Sequence, residues 1–203
     1  YSLILFQIQL MKIISFNVNG IRAIAGKSFI PDMQSLAIDV ICLQETKATP
    51  EQVQDACASL EGYHVFANSA ERKGYSGTAI LSKVQPLNVT YGIGIAEHDT
   101  EGRVVCAEYS TYFVVSVYVP NSGSELLRLG YRQSWDADFL TYLKKLEAIK
   151  PVVVCGQSPQ PEEAGGQLLP EGPWRHPHRP HGGPHRPHGD HGGAHRGRGA
   201  AAG

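Results

Sequence analysis

Every hydrophobic periodicity in this chain ends at Gly156. Pro151-Val152-Val153-Val154-Cys155-Gly156 is a continuous β-branched run, the pattern of a strand covered on both faces, and Gln157-Ser158-Pro159-Gln160-Pro161 follows it directly. From there to Gly203 the chain has no Ile, Val, Phe, Tyr, Lys, Asn, Thr, Met or Cys. Gly, Pro, His, Arg and Ala dominate instead, and seven of the nine histidines lie here. Such a segment buries too little apolar surface to offset the entropy of ordering it. The core of any fold must therefore come from residues 11–156, and residues 157–203 are expected to form a disordered Gly/Pro/His/Arg-rich tail.

The other end is also atypical. Residues 1–10, YSLILFQIQL, are apolar but lack an initiating Met, a basic flank and a small-residue cleavage site, and the run is too short to span a bilayer. Met11, followed by KIISFNVNG, reads as a natural start, and residues 1–10 read as upstream sequence translated in error. No membrane association is expected. A formal net charge of -1 gives no electrostatic case for nucleic-acid binding, although a local basic groove stays open. The four cysteines (Cys42, Cys57, Cys106, Cys155) show no CxxC spacing. Cys42, Cys106 and Cys155 fall in apolar strand-like runs, which suits buried thiols in a reducing compartment and a cytoplasmic location.

Between these ends, strand and helix patterns alternate. Lys12–Asn17 reads as a strand ending in a polar loop, Phe29–Ala37 as a helix, and Asp39–Gln44 as an apolar strand covered on both faces. Thr49-Pro50-Glu51-Gln52 carries a capping box with Pro at the first helical position, opening a helix expected to run to Leu60 and stop at Gly62. Tyr63–Asn68, Gly77–Leu81, Arg103–Tyr109 and Tyr112–Tyr118 read as strands, the last two joined by Ser110 and Thr111 in an antiparallel hairpin. Arg132–Ile149 has helical spacing of apolar residues, and the valine strand follows. The expected architecture is an α/β (α+β) layered sandwich: a mixed, mostly antiparallel sheet with helices on its outer face.

Polar residues cluster at the strand ends, where loops gather into one site. Asn17 follows the first strand and Glu45 follows DVICLQ. Glu45 is either a solvated strand-end carboxylate or a ligand for a hard cation such as Mg²⁺, which takes one or two carboxylates plus phosphate and water. GYSGTA (74–79) is a glycine-punctuated strand entry, or simply a tight turn. Arg103, in EGRV, can meet a phosphate or pair with a neighbouring acid. YVPN, ending at Asn121, brings the Tyr118 phenol and an amide to the same rim.

Taken in order, FNVNGIRA, DVICLQETKA, GYSGTAILSK, EGRVV, YVPNS, YRQSWDADF and PVVVCG closely resemble the exodeoxyribonuclease III family. These are Mg²⁺-dependent DNA-repair nucleases of the endonuclease/exonuclease/phosphatase superfamily, and the resemblance spans residues 11–156. It implies hydrolysis of phosphodiesters at abasic sites and at 3′ ends of duplex DNA by a monomer, with Mg²⁺, or alternatively Mn²⁺, as cofactor. Asn17 would lie beside the metal and the scissile phosphate, and Glu45 would be the metal ligand. Tyr118 would hydrogen-bond the phosphate or the attacking water. Arg103 would touch the DNA backbone, with Asn121, Arg132 and Lys73 as further contacts.

The resemblance breaks at the valine strand. In the family that strand delivers a Gly-Asp-x-Asn motif, whereas here Gly156 is followed by Gln157-Ser158-Pro159. Gln157 cannot take a proton from water, and Pro159 replaces an amide. The family's second sheet and its C-terminal Ser-Asp-His motif are expected beyond this point and find no counterpart; the Asp190-His191 pair has no apolar sequence around it to hold it. The tail composition is what a GC-rich gene yields when read out of frame, so a frameshift near codon 157 is expected, with a loosely metal-binding His-rich tail as the alternative. Strands such as FVVSVYV and VVVCG would then expose contiguous apolar area, forfeiting about 10 kcal/mol and leaving the chain prone to aggregate. Three readings follow: an active nuclease, a catalytically dead DNA-binding remnant using Arg72, Lys73, Arg103 and Arg132, or a frameshifted product without function.

Overall fold

The computed structural model describes residues 11–122 and 126–157. In chain order the elements are β1 (Ile13–Asn17), α1 (Ile21–Ala25), α2 (Phe29–Leu36), β2 (Val40–Gln44), α3 (Pro50–Ala56), β3 (His64–Asn68), β4 (Thr78–Ser82), β5 (Asn88–Tyr91), α4 (Ala96–Asp99), β6 (Val104–Glu108), β7 (Phe113–Tyr118), α5 (Leu129–Glu147) and β8 (Val152–Gln157). They build two four-stranded sheets, ordered β1-β2-β4-β3 and β5-β6-β7-β8. The β1–β2 and β7–β8 pairs are parallel and the other four are antiparallel.

The alternation of side chains along each strand explains the layering. In β2, Ile41 and Leu43 join Ile21, Phe29, Met33 and Val53 in a core beneath α1–α3, while Val40 and Cys42 turn the other way. There they meet Val105, Ala107, Val114 and Cys155 of the second sheet. Val104, Cys106, Val115 and Val117 point outward against Trp135 and Leu143 of α5. The central strands are thus covered on both faces, which is why they read as continuous apolar runs. The order is helix, sheet, sheet, helix. A polar bridge through the centre joins Gln44 and Ser116: Gln44 Nε2 donates to Ser116 Oγ at 3.2 Å, and Ser116 Oγ donates to the Leu43 carbonyl at 3.2 Å. Both side chains are buried, so pairing them avoids the cost of stranded polar groups.

Two expectations need correction. The second sheet, expected beyond Gly156, is already here in β5–β8. Stacked against the first sheet, it buries β7 almost completely, so FVVSVYV exposes no apolar face. Among the strands, exposed large apolar side chains are confined to the outermost ones, at Phe16 (36%), Tyr91 (50%) and Val153 (38%). The capping box on α3 is present, with Gln52 N–H donating to Thr49 Oγ1 and Thr49 N–H to Gln52 Oε1. The helix itself ends at Ala56, not Leu60. Beyond it Ala58 N–H bonds the Asp55 carbonyl and Leu60 N–H the Cys57 carbonyl, tightening the chain into turns that still bury Cys57 and Leu60. Residues 1–10, the tail after Gln157 and the Asp190-His191 pair lie outside the described residues.

Candidate active site

The parallel strands β1 and β2 end at the same level, with Asn17 opposite Gln44, and β7 ends there with Tyr118 opposite Gln157. Past the strand ends, three loops are zipped together by their main chains. Gly20 N–H bonds the Glu45 carbonyl at 2.8 Å and Ile21 N–H the Thr46 carbonyl at 3.0 Å; Thr46 N–H bonds the Gly77 carbonyl at 3.1 Å and Lys47 N–H the Ser76 carbonyl at 2.9 Å. Four non-glycine residues of these loops adopt the left-handed region: Asn19 (φ 45), Glu45 (φ 54), Lys47 (φ 50) and Ser76 (φ 49). Each such residue costs about 1–3 kcal/mol and persists only where its surroundings over-determine it, as here. Gly77 (φ 89) admits no side chain, since a Cβ there would lie 2.3 Å from Thr46 Oγ1.

This frame aims Glu45 across the rim. Asn17 Nδ2 donates to Glu45 Oε1 at 2.9 Å, and Lys47 Nζ pairs with Glu45 Oε2 at 3.2 Å. The Tyr118 hydroxyl donates to the same carboxylate. Burial raises the Glu45 carboxyl pKa, but the bonds from Asn17, Tyr118 and Lys47, with the Lys47 charge, outweigh it and hold the group below the ordinary carboxylate range. Burial and the adjacent Glu45 carboxylate push the Tyr118 phenol well up, so it stays a donor. The donors grouped here are oxygens of one carboxylate and of the Asn17 and Asn19 side-chain amides, a set that suits Mg²⁺ completed by water and phosphate. Among the described residues no group of three or more His, Cys, Asp and Glu could hold a metal ion.

A second cluster backs Tyr118. Arg103 is only 2% exposed; its Nε donates to Glu101 Oε2 at 2.7 Å, one terminal nitrogen to the Tyr118 carbonyl at 2.8 Å and the other to the Tyr75 hydroxyl at 3.0 Å. The guanidinium also lies over the Tyr118 ring, 5.1 Å from its centroid. Arg128 reaches the same groups from outside, donating to Tyr75 Oη at 3.1 Å and Glu101 Oε1 at 3.0 Å. Tyr75, Glu101 and Arg128, with Ala70, Glu71, Arg72 and Thr100, line an open cavity of about 380 Å³.

The residues anticipated from the sequence therefore separate. Asn17, Glu45 and Tyr118 converge on one carboxylate. Arg103 stands behind them with no face to solvent. Lys73 is exposed on the loop before Tyr75, and Asn121 is exposed beyond β7. Arg132 is spent on structure, bonding both Asp136 oxygens at 2.8 Å and the Pro120 carbonyl at 2.9 Å. Besides Asn19, four participants were given no role from the sequence: Lys47, Tyr75, Glu101 and Arg128. The first three lie inside or beside motifs already singled out, Lys47 two residues after Glu45 and Glu101 two before Arg103. Nothing local marks Arg128.

Residues 14–156, which carry nearly all of both sheets and of the rim, match the Endonuclease/Exonuclease/phosphatase family, and the chain belongs to it. Within that family it is similar to DNA-repair nucleases. It is 49% identical over 149 residues to an exodeoxyribonuclease of Bacillus subtilis, covering 72% of this chain and 57% of that protein. It is 47% identical over 148 residues to the DNA repair nuclease APEX1 of Danio rerio, covering 72% and 48% respectively. An AP endonuclease structure from Archaeoglobus fulgidus superposes with a TM-score of 0.63 at 31% identity, covering 72% of this chain and 56% of that one. The resemblance read from the sequence is borne out. The chain spans about half the length of these relatives.

Proposed function

We propose that this chain is the metal- and phosphate-binding half of an exodeoxyribonuclease III-type site, and that it binds duplex DNA at abasic sites or 3′ ends but hydrolyses it far more slowly than a full-length relative. The observation that carries this is the Glu45 carboxylate, fixed at the strand-end rim by Asn17 and faced by Tyr118. Glu45 and the neighbouring amide oxygens would hold Mg²⁺, or Mn²⁺ in its place. Bound there, the ion supplies Lewis-acid polarisation of a phosphoryl oxygen and neutralises developing charge.

The remaining work falls to side chains. Tyr118 stays protonated at neutral pH, and its single hydroxyl proton, given to Glu45 here, turns to a phosphate oxygen presented beside that carboxylate. Arg103 acts from behind, fixing the ring and carbonyl of Tyr118 and adding positive potential to the rim. The outward Arg128, with exposed Arg72 and Lys73, contacts backbone phosphates beside the cavity. The sequence limits the chemistry. Gln157 follows Gly156 where the resemblance calls for an Asp, so no carboxylate from this position takes the proton of the attacking water. Losing a positioned general base costs about 10²–10⁴-fold.

The test is incubation of the full chain with an abasic-site duplex and Mg²⁺, with Glu45→Gln alongside. The expected outcome is DNA binding that falls steeply with salt and cleavage at least about 100-fold below that of a full-length relative. Binding insensitive to salt, or cleavage at a relative's rate, would refute it.

A further inference from the structure

The ammonium of Lys47 stands where a cation would meet the outer oxygen of Glu45. Its Nζ lies 3.2 Å from Glu45 Oε2 and also bonds the Asn19 side-chain oxygen, so it touches two of the three side chains that offer oxygen to a metal. The placement is imposed by the backbone. Glu45 (φ 54) and Lys47 (φ 50) are both left-handed, and main-chain bonds from Thr46 to Gly77 and from Lys47 to Ser76 pin the turn between them. With the turn pinned in this shape, the Lys47 side chain lies within reach of the Glu45 carboxylate. The Glu45 side chain is 19% exposed and that of Lys47 36%, so the carboxylate is sheltered while the ammonium has a way out to water.

We propose that Lys47 is a built-in counter-cation that a divalent metal must displace from Glu45, and that it sets the metal affinity of the site; this rests on the assignment of Glu45 as metal ligand. A dication at Glu45 repels an ammonium seated 3.2 Å from the same carboxylate by more than that ammonium gains there, so the metal drives Lys47 off. Without Lys47 the carboxylate offers its outer oxygen directly. With it, metal binding includes breaking an ion pair and a hydrogen bond. The device keeps the strained rim electrically satisfied when no metal is bound. It also frees a mobile positive charge beside the site when one is.

The experiment is calorimetric titration of the full chain with Mn²⁺ in four forms: unsubstituted, Lys47→Met, Lys47→Arg and Glu45→Gln. Lys47→Met should bind Mn²⁺ about two- to fivefold more tightly, the factor expected from removing one partly exposed ion pair. Lys47→Arg, which keeps the charge, should not bind more tightly. Glu45→Gln should bind much more weakly. If Glu45→Gln weakens binding but Lys47→Met does not strengthen it, or if Lys47→Arg strengthens it equally, the competition is refuted while the metal-site assignment stands. If Glu45→Gln leaves Mn²⁺ affinity unchanged, both fall. A thermal melt of each variant confirms that the comparison is between folded chains.

Discussion

Gly77→Ala tests whether the rim is held by the packing of its loops. Two separate penalties apply. The backbone at Gly77 has φ 89, and placing an L residue in left-handed space costs about 1–2 kcal/mol. The new Cβ would also lie 2.3 Å from Thr46 Oγ1, 3.4 Å from the Asn68 carbonyl oxygen and 3.5 Å from the Lys47 nitrogen. Thr46 is 1% exposed and cannot swing into water, so the loop must shift, at a further cost of about 1–3 kcal/mol. Gly74 isolates the first penalty: its φ is 71, but a Cβ there meets nothing within 4 Å. Gly74→Ala should therefore cost about 1 kcal/mol and Gly77→Ala about 3 kcal/mol. Urea unfolding followed by the fluorescence of Trp135, buried against the second sheet, would resolve them as midpoints separated by about 1 M. The displaced strip is Glu45–Lys47, so Gly77→Ala should also weaken Mn²⁺ binding while Gly74→Ala leaves it intact. Equal midpoints for the two variants would refute the reasoning.

Two other expectations follow from the same geometry. Arg103→Ala strands the Tyr118 carbonyl and removes a buried partner from Glu101, so it should destabilise the chain by about 3–5 kcal/mol in the same urea assay; a loss under 1 kcal/mol would mean the guanidinium is not structural. Because the folded-state pKa of Glu45 is lowered, its contribution to stability is present above the unfolded value and lost as pH falls through the folded one. Stability followed from pH 7 downward should therefore show a steeper acid limb in the unsubstituted chain than in Glu45→Gln, and identical limbs would contradict the assigned partners.

Much of the fold was legible because its signals are local. The buried strands β2, β4, β6 and β7 and the edge strand β8 announce themselves as β-branched or apolar runs, the α3 capping box is spelled out by Thr49, Pro50 and Gln52, and Ser110-Thr111 is too short to be anything but a hairpin. The elements that went unread, α1, α4 and β5, span five, four and four residues, too few for a period to show. β5 is also mostly exposed, with Val89 as its one aliphatic residue.

What the sequence determined by itself is the longer elements, the family and the grouping of Asn17, Glu45 and Tyr118, since each depends on neighbours along the chain or on a whole motif. Tertiary structure alone decided that the strands divide four and four into stacked sheets, because strand pairing joins residues far apart in sequence. It also decided which cations face outward. Arg103 reads as a phosphate contact and Arg128 carries no mark in the sequence, yet Arg103 lies 2% exposed beneath Tyr118 and Arg128 stands at the mouth of the cavity. Lys47 reads as an ordinary surface lysine until two left-handed residues turn it over Glu45. A cation's role here is set by which carboxylate the backbone brings within reach and by how much water is left between them.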